Sequence, residues 1–171
     1  MRNDTTLTAL RLFVEEEPKI LDWKIEDFSC ARDPDVERFL KNDALRYESE
    51  GYGRTYLYTT HDKGQSRIMA FFTVAITSTD FRDISKSRKR KVLHSKPGRD
   101  GQDFFGGILV GQLGRADGFD STDINGQEML NGAEIIIEMG REHKNVQDSP
   151  ANIRICQLSF FSIENREIQW T

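Results

Sequence analysis

Residues Ile68 to Thr77 read Ile-Met-Ala-Phe-Phe-Thr-Val-Ala-Ile-Thr, an almost unbroken apolar run. A strand that alternates apolar and polar residues can leave one face in water. A strand apolar at successive positions cannot, and must be covered on both faces. The run therefore requires a layer of other elements on each side of its sheet. In a chain of 171 residues that requirement points to a single α/β domain spanning residues 1–171. A chain this long buries about two thirds of its unfolded surface and needs no disulfide or metal staple.

The covering elements are readable. Val36, Phe39, Leu40, Ala44 and Tyr47 fall at helical spacing between Pro34 and Glu50. Asp33 suits the N-cap, Pro34 the first helical position, and Asp35 and Glu37 the positive end of the dipole. Gly51 and Gly53 end the helix. Upstream, Leu12–Val14 and Ile20–Ile25 read as strand or extended chain. Thr55 to Thr60 is a β-prone run, joined through the turn-like Asp62-Lys63-Gly64 to the Ile68 strand as a hairpin. Arg82 to Leu93 reads as a weakly amphipathic helix. Pro97-Gly98 through Gly106-Gly107 reads as loop. A second buried strand runs from Ile108 to Leu113. The clearest stripe is Met129, Leu130, Ala133, Ile136 and Ile137, a helix starting near Gly126 and capped by Gly140. Asn131-Gly132 favours a turn, but the stripe continues on both sides of it. Ile153 to Phe161 is a last strand, and a strand–helix–strand order implies at least one parallel pair.

Composition excludes several classes. No stretch reaches about eighteen apolar residues, and Met1 to Thr8 has no apolar signal region, so a cytoplasmic protein without a membrane span is expected. Two cysteines, Cys30 and Cys156, are too few for a disulfide scaffold. His61, His94 and His143 are scattered, so no metal site is expected and these five residues read as buried Cys and solvated His. No G-x-S-x-G occurs. The formal charge is −4, yet Arg82, Lys86, Arg88, Lys89, Arg90, Lys91, Lys96 and Arg99 form one basic cluster, opposed before Asp100 by Asp83 alone. Such a run reads as a solvated helix face or as a phosphate-contacting surface, and no aromatic residue interleaves it.

The Ile108 strand, its loop through Gly114-Arg115-Ala116-Asp117-Gly118, and the helix near Gly126 make a natural anion site. Free N–H groups at a helix start hold phosphates without charged side chains, and a glycine there lets a phosphate approach closely. On spacing alone the signal is weak, and an ordinary capped helix with the glycine there for packing is the favoured reading.

Asp27-Phe28-Ser29-Cys30, the Val36–Leu40 helix with Ala44, and Gly53-Arg54-Thr55-Tyr56-Leu57 resemble the N-terminal half of the GNAT acetyltransferases. The branch most resembled contains toxin–antitoxin acetyltransferases. Val110-Gly111-Gln112-Leu113-Gly114-Arg115-Ala116-Asp117 resembles that family's fourth strand. Ile124-Asn125-Gly126 with Met129-Leu130 resembles the end of its pyrophosphate loop and the next helix. The resemblance covers about Asp27 to Gly140.

It implies a mixed, twisted sheet flanked by helices, with splayed central strands. It implies acetyl-CoA as substrate, bound through the backbone of Leu113, Gly114, Arg115, Ile124, Asn125, Gly126 and Gln127, and acetyl transfer to an amine. In the toxin branch that amine belongs to an aminoacyl-tRNA, which Arg82, Lys86, Arg88, Lys89, Arg90 and Lys91 would hold. An antitoxin protein and a homodimer are the further partners implied. Two departures stand out. Only Gly126 survives of the family's Arg/Gln-x-x-Gly-x-Gly/Ala loop, with Ser121 and Ile124 at earlier landmarks. The terminal tyrosine that protonates the departing thiolate has no counterpart, because Tyr47, Tyr52, Tyr56 and Tyr58 all lie earlier. The part after about Pro150 is thus expected to be atypical or truncated. No residue can be assigned as acid or base. A GNAT-fold module that holds CoA or a partner without turnover is the alternative.

Overall fold

A computed structural model describes residues 5–12, 25–62, 65–94 and 101–142. Among the described residues four strands form one sheet in the order β1 (Thr5–Ala9), β2 (Arg54–Asp62), β3 (Gln65–Asp80), β4 (Phe104–Arg115). All three pairings are antiparallel. The parallel pair expected from Ile153–Phe161, and with it the splay, falls outside the described residues.

β3 earns its central place through its first half. Met69, Ala70, Phe71 and Phe72 are fully buried. Beneath them lie helix α1 (Pro34–Arg38), a π-helical segment (Phe39–Asp43) and α2 (Ala44–Glu50), which run on as one rod. Within it Ala44 donates its N–H to the Phe39 carbonyl, five residues back. Asp33 caps the rod through bonds from the N–H groups of Asp35 and Val36. Phe71 packs edge-on to Phe28 and stacked against Phe39. On the opposite face Phe72 meets Tyr56 and Tyr58, and α4 (Gly126–Glu142) supplies Met129 and Ala133 to the same core. Sandwiching of this kind is what the apolar run demanded.

Several expectations need correction. The burial on both faces stops near Thr73: Ile76 is 77% exposed. β4 begins at Phe104, so Phe104 to Gly107 are strand rather than loop, paired with Thr77 to Asp80. The first strand is Thr5–Ala9, a polar-looking segment that works as an edge strand; Leu12 and Ile25 lie in helical turns instead of extended chain. Helix α3 is confined to Lys86–Leu93, with Ser85 as its N-cap. Gly140 sits inside α4 and does not cap it.

Gly132 shows why α4 tolerates Asn-Gly. A Cβ there would lie 1.8 Å from the Tyr58 hydroxyl. The missing side chain lets α4 settle onto β2, and Tyr58 donates its hydroxyl to the Glu128 carbonyl. Gly114 does the same on the other face, where a Cβ would meet Val36 Cγ1 at 2.3 Å.

Candidate anion-binding site

The chemistry-bearing unit is β4, its following loop and the start of α4. Between the pairs Phe72–Leu113 and Val74–Val110, β3 advances two residues while β4 advances three. Gly111 and Gln112 therefore both oppose Thr73, which makes a β-bulge in β4. A bulge turns ladder N–H and C=O groups out of register. Gly111 is exposed and has open space where a side chain would be. The expected wedge was Leu113 to Arg115; the irregularity lies two to three residues earlier. A glycine inside a strand pattern was the signal that could have located it.

After Arg115 the chain crosses the end of the sheet. Ala116 donates its N–H to Met69, and Asp117 donates to the Ser29 carbonyl. The Asp117 carboxylate in turn accepts the Ala31 N–H at 2.9 Å. This reciprocal latch ties the loop to the Phe28–Cys30 segment. Arg115 straps the far end, its guanidinium donating to the Ile124 carbonyl at 2.9 Å. Asp120 organises the middle by accepting from Thr122 and Asp123. The Thr122 hydroxyl, then its backbone N–H, hold the Asp120 carboxyl below its usual range.

These bonds decide which expected donors remain. Ile124 is fully buried and gives its N–H to Asp120. Asn125 gives its N–H to the Glu128 carboxylate at 2.8 Å, and Glu128 returns its own N–H to the Asn125 side chain at 2.9 Å. That is a reciprocal capping box. Gly126 and Gln127, the first two helical residues, are left with N–H groups that meet no acceptor among the described residues. Gly126 has open space around it. Gly114, by contrast, is buried beneath Val36 and Phe71. The seven expected residues thus lie on one continuous unit but are unequal: Gly126 and Gln127 offer donors, Arg115 and Ile124 close the loop, Asn125 caps the helix, and Leu113 and Gly114 pack. Side-chain carboxylates of Asp117, Asp120, Asp123 and Glu128 surround them.

The early tyrosines are packing residues here. Tyr47 meets Phe39 and Tyr52 edge-on. Burial pushes the Tyr58 hydroxyl up to about 12, and it raises Tyr56 as well. Cys30 is buried, with its thiol raised chiefly by that burial, while His61 and His94 are exposed. His143 and Cys156 lie outside the described residues. Among the described residues no three His, Cys, Asp or Glu side chains gather to hold a metal, and no helix is long and apolar enough to cross a membrane.

The basic cluster divides. Lys89 is 8% exposed, donates to the Gln102 carbonyl, and lies 3.7 Å from Asp103 and over Phe105. It pins α3 to the start of β4, so it is withdrawn from the expected nucleic-acid contacts. Arg82 donates to both oxygens of the Asp80 carboxylate. Lys86, Arg88, Arg90 and Lys91 are exposed, and Lys96 and Arg99 fall outside the described residues.

An antiparallel sheet flanked by helices is the architecture of the GNAT fold, and solved structures share it. A tyrosine-to-phenylalanine mutant of KacT superposes with a TM-score of 0.56 at 16% identity, over 84% of this chain and 74% of that one. A tyrosine-to-phenylalanine mutant of the toxin AtaT gives 0.59 at 13%, over 84% and 70%. AtaT complexed with acetyl-methionyl-tRNAfMet gives 0.55 at 13%, over 81% and 72%. No family model and no curated protein sequence matches the chain.

Proposed function

We propose that this chain transfers an acetyl group from acetyl-CoA to an amine, with the amino group of an aminoacyl-tRNA as the acceptor class. The observation that carries the reading is the β4 bulge followed by open donors at Gly126 and Gln127, on a fold for which AtaTR is known bound with AcCoA. The acceptor follows from AtaT in complex with acetyl-methionyl-tRNAfMet.

The chemistry asks for three things. The thioester must be oriented, with its carbonyl polarised by a fixed backbone N–H; the out-of-register groups at Gly111–Gln112 supply that. The pyrophosphate rests against Gly126 and Gln127 at the positive end of α4. A neutral amine then attacks the carbonyl carbon, the C–S bond breaks, and the thiolate takes a proton. No tyrosine follows Tyr58, and Tyr58 is occupied beneath α4. The proton therefore comes from water or another donor. General-acid assistance contributes about 10²–10⁴-fold, so turnover suffers where binding does not.

The second reading, a module that binds CoA without turnover, is favoured by that missing acid and by the carboxylates around the loop. Calorimetry with acetyl-CoA, followed by thiol release in the presence of aminoacyl-tRNA, separates the two. Binding with release supports transfer; binding without release supports the module. Gly126→Asp places a carboxylate and a Cβ at the cradle and should abolish binding in a folded protein. Unchanged affinity would remove this site.

A further inference from the structure

The tip of the β3–β4 hairpin carries a feature that the acetyl-transfer reading leaves unused. Phe104 opposes Asp80 and Phe105 opposes Thr79, so the two rings point to opposite faces of the hairpin. Phe105 is buried under α3 with Phe81 and Leu93. Phe104 is 54% exposed, and the Arg82 guanidinium lies over its ring, 5.1 Å from the centroid. Asp80 grips that guanidinium from one side at 2.6–3.1 Å, which holds it over the ring, the two together making a stacking plate. On the other face, α3 presents Lys86, Arg88, Arg90 and Lys91, all exposed and with no carboxylate partner among the described residues. Lys89 and the Phe81–Leu93–Phe105 cluster anchor the helix, so these cations have a fixed base.

We propose that this tip binds a single-stranded nucleic acid, with one unpaired base stacked on the Phe104–Arg82 plate and the phosphates held by α3. An exposed aromatic ring with a guanidinium accepts any base face, and nearby cations track the backbone. The single-stranded form follows from the stacking. A ring takes the face of a base only where that base is unpaired and unstacked, as it is in a single strand and not inside a duplex, while the α3 cations act on the backbone. An acidic peptide would satisfy the cations but would leave the plate without a partner. The inference deepens the nucleic-acid acceptor reading but does not depend on acetyl transfer.

Fluorescence anisotropy of the full chain with a mixed-sequence 12-mer, as RNA, as DNA and as the RNA duplex, tests it across a salt series. Phe104→Ala should weaken both single strands by about 5- to 150-fold with an unchanged salt slope, and Phe104→Trp should retain or tighten binding. Arg88→Gln with Lys91→Gln should reduce the salt slope by about 1.4 and leave the stacking term intact. Stronger binding of RNA than DNA would identify ribose contacts in the same site, and equal binding a backbone-and-base site. Circular dichroism confirms folding, and the acetyl-CoA titration on the same samples reports the transferase reading separately. Equal affinity of Phe104→Ala and wild type, equal affinity for duplex and single strand, or equally tight binding of a poly-glutamate peptide would each overturn the proposal.

Discussion

The two halves of β3 are held by different forces. From Ile68 to Thr73 the strand is buried on both faces, between the α1–α2 rod and α4. From Ala75 to Asp80 it runs on with β4 past that core, and its stability rests on the three-residue cluster of Phe81, Leu93 and Phe105 and on polar pins from Lys89 and Arg82. One half is a core that excludes water; the other is a clamp that organises charge. A core tolerates little and carries the global stability, whereas a clamp opens locally at small cost to the whole.

The largest blow to this contrast is Phe71→Ala, which removes a fully buried ring that packs against Phe28 and Phe39. It should cost about 3–5 kcal/mol, read as a shift in the denaturant midpoint; a loss under 1 kcal/mol would show that the rod does not need the ring. Next comes Gly132→Ala, where a new Cβ meets the Tyr58 hydroxyl. About 1–3 kcal/mol of overpacking is expected, and Tyr58→Phe in the same chain should return part of it, so the double-mutant cycle gives a coupling of opposite sign to the single loss. Strict additivity would mean that α4 shifts bodily instead. On the distal side, Lys89→Met keeps the stem but leaves the Gln102 carbonyl without its donor. About 1 kcal/mol is expected, appearing as faster hydrogen exchange confined to α3; slowed or unchanged exchange there would rule out the clamp. The smallest effect is electrostatic and proximal. Glu37 is held below its usual range, first by Lys41 and then by the Cys30 N–H. A lowered folded value means that its contribution is complete above about pH 4.3 and fades as pH falls through the folded value. Glu37→Gln should flatten that part of the acid limb, measured as midpoint against pH.

The contrast also marks what the sequence could disclose. Burial writes itself in periodicity, so the Ile68 run, the Thr55 strand and the Met129 stripe were legible, as was the family likeness of the Gly53–Leu57 and Val110–Asp117 segments. Polar construction does not repeat. Nothing in the residue pattern said that Lys89 would be buried while its neighbours stay in water, or that Phe104 and Phe105 would part to opposite faces of a strand. β1 was missed because an edge strand with one packed residue, Leu7, carries no stripe. At the site, the strand–loop–helix unit was readable, but the availability of its donors was not. That depends on Glu128 reaching back to Asn125 and on Asp120 accepting from Ile124, which are tertiary outcomes of short-range choices.

The π segment between α1 and α2 has a consequence for phase. Val36, Leu40, Ala44 and Glu48 are all buried, a spacing of four that a helix of 3.6 residues per turn cannot keep on one face, since it gains about 40° at each step. A wider turn of about 4.4 residues, five residues long, gives back nearly 90° and realigns the stripe, bringing Glu48 under Thr55, whose N–H it accepts at 2.9 Å. The rod is therefore one residue out of step with an ideal helix by construction. Deleting a single position between Phe39 and Asp43 would restore ideal winding and turn the Glu48 carboxylate away from β2, so this stretch counts residues as strictly as a reading frame does.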